Sequence, residues 1–106
     1  MRKVALSPLE SWILRELAEA GAEELVMLLN VSGRSRDEME LAIRRLVALG
    51  LVELAWDERG WPIVSEGEAK ELLELATWVR WDAAIHGWAA TGAKSVALVR
   101  TKEPLR

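Results

Sequence analysis

The sequence predicts a mainly α domain that carries one small β-hairpin and ends in a long helix. Three observations predict it. Serine-led capping boxes at Ser7, Ser35 and Ser65 each open an apolar stripe of helical spacing. One helix closes on Gly50 and passes straight into the apolar pair Leu51-Val52. Two short β-prone stretches are split by the turn-forming run Asp57-Glu58-Arg59-Gly60.

In chain order, Ser7-Pro8-Leu9-Glu10 combines a hydroxyl cap, proline at the first helical position and glutamate three residues after the cap, so a first helix spans about 8 to 20 and stops at Gly21. A second, two-turn helix runs from Ala22 to Leu29, ahead of the break Asn30-Val31-Ser32-Gly33. The box Ser35-Arg36-Asp37-Glu38 opens a third helix over 36 to 49. Leu51–Trp56 and Trp61–Val64 form the hairpin. A fourth helix begins at Ser65 and extends to about Ala90, with Thr91-Gly92 as its stop and Gly87 as an earlier one. Ser95–Arg100 alternates weakly and makes one more strand, and Lys102–Arg106 reads as a frayed tail. The division is a core over 1–66 and, over 67–106, a C-terminal helix and tail that serve the same domain as a dimerisation element.

Length and composition bound the function. The 106 residues fit one domain and leave no room for a separate catalytic module. A 51% hydrophobic content supports a packed core. The absence of cysteine removes disulfides and thiolate metal sites, which suits a reducing cytoplasm. The start MRKVALSPLE lacks the apolar run of a signal peptide, so a soluble, cytoplasmic protein is expected. His86 stands alone without carboxylates at metal-ligand spacing, and Ser7, Ser35 and Ser65 are all explained as caps, so neither catalysis, metal nor cofactor is expected. The net charge of -3 is unusual for a DNA-binding surface, which needs a basic excess on at least one face.

Three short helices, a hairpin and a further helix is the order of a winged helix-turn-helix domain, in which the third helix enters the major groove. The stretch AEELVMLLNVSGRSRDEMELAIRRLVALGLVEL resembles the core of MarR-like and related bacterial transcription regulators, and WDERGWPIVSEGEAKELLEL is similar to their wing and following helix. The resemblance covers residues 7 to 76 and is most specific at Leu46, Leu49, Gly50, Leu51 and Val52. It implies a transcription regulator that binds double-stranded DNA. The residues placed to read a half-site are Arg34, Ser35, Arg36, Asp37, Glu38, Glu40 and Leu41. Arg44 and Arg45 follow along the helix, one for a phosphate and one for a carboxylate, and Arg59 stands at the wing tip. Asp37, Glu38 and Glu40 repel a polyanion, although a carboxylate can accept from a cytosine amino group, and the wing is acidic overall. These acidic residues motivate an alternative, a winged helix that docks a basic protein partner.

On a fourth helix, Leu72, Ala76, Val79 and Ala83 form one apolar stripe, and Trp78, Trp81, Ile85 and Trp88 form another about half a turn away. One small domain cannot bury both. A homodimer joined through the four residues Trp78, Trp81, Ile85 and Trp88 is therefore expected; the competing expectation is that the tail strand covers the tryptophans within one chain.

Overall fold

A computed structural model describes residues 5–92 and 95–101; the tail from Lys102 to Arg106 lies outside them. Helix α1 spans Pro8–Ala20, and its predicted box is complete: Glu10 N–H donates to Ser7 Oγ (3.1 Å) while Ser7 N–H donates to Glu10 Oε1 (2.9 Å). Helix α3 spans Arg36–Ala48 with the same reciprocal pair between Ser35 and Glu38, 3.1 Å each way. Between them α2 occupies Leu25–Ser32, three residues later than the sequence reading, because Ala22–Glu24 forms a strand, β1. Glu24 then caps α2, its carboxylate accepting from the N–H groups of Val26 and Met27. Gly33 closes α2 at φ +71°, a left-handed conformation that costs glycine little.

Strand β2 covers Val52–Trp56, and the last described strand covers Val96–Arg100. That final strand, β5, is the centre of an antiparallel sheet of order β1-β5-β2, with Leu98 opposite both Glu23 and Leu54. The predicted strand at 95 to 100 is thus present as the sheet's middle member. On the other edge of β2 the chain returns through a bridge from Ala55 to Ile63, with Trp56 N–H donating to Pro62 O and Val64 N–H to Leu54 O. The hairpin over 51–64 therefore forms, although its return leg is a single bridge. Ile13, Leu17, Leu25, Leu29, Met39, Ile43, Leu46 and Leu98 fill the core between the helices and the sheet.

The long fourth helix is absent. Helix α4 spans only Glu66–Leu72, a 3-10 turn follows at Leu75–Thr77, and the chain then forms a second hairpin from β3 (Val79–Asp82) and β4 (Gly87–Ala90). The Ser65 cap accepts from Glu68 N–H, but its hydroxyl donates to the Glu68 carboxylate, so the third box is only half made. The reason for the early stop is local. Helix ends leave carbonyls without partners, and the Trp78 indole N–H donates to Leu72 O (2.8 Å), fixing the end of α4 from the turn below it. Thr91 N–H donates to Trp78 O (2.7 Å) and closes the base of the hairpin. Among the described residues the result is four α-helices with a three-stranded antiparallel sheet and a separate two-stranded hairpin, a mixed α/β arrangement.

Candidate nucleic-acid interface

Helix α3 presents its outward face beside the N-terminus of α1. Its inward face, Met39, Ala42, Ile43 and Leu46, is buried. The outward residues line an open groove of about 700 Å³ together with Ser7, Pro8, Leu9 and Glu10. Three of the four predicted arginines of this region, Arg34, Arg44 and Arg45, lie along it, as do Glu38 and Leu41. Leu41 is 71% exposed, an unusual position for an isolated leucine in the middle of a charged face.

Each arginine has a partner. Arg34 reaches Glu38 at 3.4 Å across one helical turn, and both side chains are about half exposed. Arg44 Nε donates to Glu40 Oε2 at 2.8 Å. Arg45 donates to Glu10 Oε1 at 2.7 Å and to Ala5 O, which ties α3 to the start of α1. Both Arg44 and Arg45 thus pair with a carboxylate, where the sequence assigns one of them to a phosphate. Glu10 is buried and already committed to the Ser7 box, so its bridge to Arg45 is a fixed strut. The other two pairs have i,i+4 spacing: Arg34 stands just before α3 and its exposed pair with Glu38 exchanges readily for a stronger anion, while the Arg44–Glu40 pair within α3 is partly covered.

Arg36 is placed differently from the reading-face position expected of it. Its guanidinium turns away from the groove, donates to Val79 O (2.7 Å) and lies over the Trp88 ring at 5.5 Å. The β3–β4 hairpin is what draws it there. Glu40 is also occupied, since its second oxygen accepts Leu75 N–H (2.9 Å) and so caps the 3-10 turn. Ser35 serves as the α3 cap, and Asp37 is exposed in the first turn. The Glu38 carboxyl is held below its ordinary value of 4.5, mainly by the Ser35 backbone N–H and then by the Arg34 charge. Arg59 is exposed at the tip of the first hairpin beside Asp57 and Glu58.

Comparison with protein families, with curated proteins and with solved structures returns no match.

The tryptophan stripe does not exist as a helical face. Trp78 is buried under the hairpin base, and Trp88 is half-buried with its ring edge-to-face against Trp81 at 5.3 Å between centroids. Trp81 and Ile85 are exposed. The two opposed helical stripes that called for a second protomer are replaced by a hairpin that covers Trp78 within one chain. Sequence reasoning missed Asn30, the Glu10–Arg45 bridge and the hairpin itself. Asn30 had been read as part of a break, yet its side-chain amide pairs with both main-chain groups of Trp88. Among the described residues there is no group of three or more His, Cys, Asp or Glu side chains placed to hold a metal ion. No helix among them is long and apolar enough to cross a membrane.

Proposed function

We propose that this chain is a winged helix-turn-helix protein that binds double-stranded DNA as a transcription regulator, with the outward face of α3 against the duplex and the 51–64 hairpin as its wing. The observation that carries this reading is the pair formed by Arg34, exposed in the tight turn between α2 and α3, and Arg44, half-buried on the outward face of α3, with Arg59 on the hairpin that follows α3. The sheet supports it: β1, β5 and β2 brace the three helices from behind and leave the outer side of α3 open. Guanidinium groups released from exposed i,i+4 pairs gain more from a phosphate than they lose from a solvated carboxylate. Arg36 is held by Val79 O and the Trp88 ring, Glu40 by Arg44 and Leu75 N–H, and Arg45 by Glu10, so the contact set narrows to Arg34, Ser35, Arg44 and Arg59.

A salt titration tests the proposal. A fluorescent random-sequence duplex should bind, with log K falling linearly against log salt at a slope of about 0.9 per neutralised phosphate. Arg34→Ala and Arg44→Ala should each flatten that slope by about one contact, and Asp37→Asn should raise nonspecific affinity. A wild-type protein that fails to bind at about 50 mM salt overturns the DNA reading.

A second reading has its own observation. The groove around Leu41, Pro8 and Leu9 has an apolar floor and a rim of both charge signs, the anatomy of a protein-binding patch. Under it, the domain docks a protein partner through the α1–α3 groove. Leu41→Asn separates the two, because it abolishes docking in an apolar groove while neither adding a charge nor removing a cation that a phosphate needs.

A further inference from the structure

The β3–β4 hairpin packs on the α2–α3 turn through contacts that its own strand pairing does not require. Asn30 Nδ2 donates to Trp88 O (3.0 Å), and Trp88 N–H donates back to Asn30 Oδ1 (2.7 Å). Gly87 makes that approach possible, since a Cβ there would stand 2.9 Å from Asn30 Oδ1. Arg36 is the second point of attachment, held by Val79 O and the Trp88 ring.

The hold is incomplete in two places. Arg36 Nε is buried with no partner, and a buried N–H without an acceptor opposes the closed arrangement because water would satisfy it in the open one. His86, at the turn of the hairpin, sits at φ +52°, a conformation that side-chain-bearing residues adopt at some cost. The far end of the hairpin covers little, with Trp81 and Ile85 exposed.

We propose that the β3–β4 hairpin is an autoinhibitory clasp: closed, it withdraws Arg36 from the surface of α3, and open, it returns a fourth cation to the DNA-facing turn. The clasp rests on the DNA reading given above. The base of the hairpin stays fixed by Trp78 and Thr91, and the end from Arg80 to Ala89 swings away from Asn30 and lifts the Trp88 ring off Arg36, whose one remaining bond, to Val79 O, then exchanges for a phosphate.

Two variants open the clasp without touching the core. Asn30→Ala removes the amide pair, and Gly87→Ala drives a methyl group into Asn30 Oδ1. Loss of the ring-current shift that the Trp88 indole imposes on the Arg36 side chain reports opening without any ligand, and anisotropy of a labelled random-sequence duplex reports the consequence. In both variants that shift should collapse while the amides of Leu29 and Ile43 hold their exchange protection. Duplex affinity should rise, and the salt slope should steepen by about 0.9, one added phosphate contact. Arg36→Ala placed on either variant should cancel the gain.

Failure has distinct forms. An unchanged Arg36 ring-current shift in both variants means that there is no clasp to open. Loss of the shift with unchanged duplex binding, or a gain that survives Arg36→Ala, overturns autoinhibition and leaves the DNA reading standing. Absence of binding by the wild type and both variants at about 50 mM salt overturns the DNA reading and the clasp with it.

Discussion

Glu10 carries more structural weight than any other single charged residue described. Its carboxylate closes the Ser7 capping box and holds Arg45 across the α1–α3 interface while lying buried. Glu10→Ala removes one half of the box and a charge-assisted hydrogen bond together, and should cost about 2–3 kcal/mol in urea unfolding. Arg45→Ala should cost less, since Glu10 keeps its bond to Ser7. Glu38 makes a prediction of pH dependence. Its folded carboxyl titrates below the ordinary 4.5, because the ionised form accepts Ser35 N–H and faces Arg34. A carboxyl depressed in the folded state contributes its stabilisation above the unfolded value and loses it as pH falls through the lower folded value. Acidification below 4.5 should therefore loosen the first turn of α3, seen as faster exchange at Ser35 N–H, and Glu38→Gln should remove that dependence. The capping role of Glu10 was legible from its spacing to Ser7. Its bridge to Arg45 was not, because that contact spans thirty-five positions and follows from helix packing.

Among the elements, α1 and α3 were readable almost to the residue because capping serines and following glutamates are local signals with a single geometric meaning. The segment from Leu73 to Ala90 was misread because its alanines, tryptophans and valine also fall at helical spacing. Periodicity cannot separate a helix from a hairpin when the deciding facts are an indole bonded to a helix-end carbonyl and a left-handed histidine. Strand β1 was invisible for another reason: Ala-Glu-Glu carries no strand pattern, and only its pairing with β5 makes it one. The two tryptophans at the ends of this misreading should now behave very differently. Trp78→Ala empties a buried site and unpairs Leu72 O, at a cost of about 3–5 kcal/mol. Trp81→Ala removes an exposed ring and one edge-to-face contact, at a cost of about 0.5–1.5 kcal/mol. Thermal unfolding of the pair checks the contrast, and equal losses would place Trp81 in the core.

At the scale of the whole molecule, the sheet's order matters more than its size. The tail strand was legible as a weak alternation over Ser95–Arg100, but nothing local announced that it would lie between β1 and β2. Central position makes it indispensable: it donates ladder bonds to both neighbours and buries Val96, Ala97 and Leu98. A chain ended at Thr91 should lose cooperative unfolding altogether, whereas a chain ended at Thr101 should keep it; circular dichroism melts of the two distinguish a central strand from a dispensable one. Arg36 belongs to this scale as well, since a residue forty-three positions away decides which way it points. The same arrangement sets a schedule for synthesis. On the ribosome, Ala22–Glu24 emerge early and have no strand to pair with until Val96–Arg100 clear the exit tunnel. Through all of that interval the apolar faces of the first three helices lack their backing sheet. Nascent chains stalled between Gly50 and Thr91 should thus be the forms most exposed to proteases and to capture by chaperones.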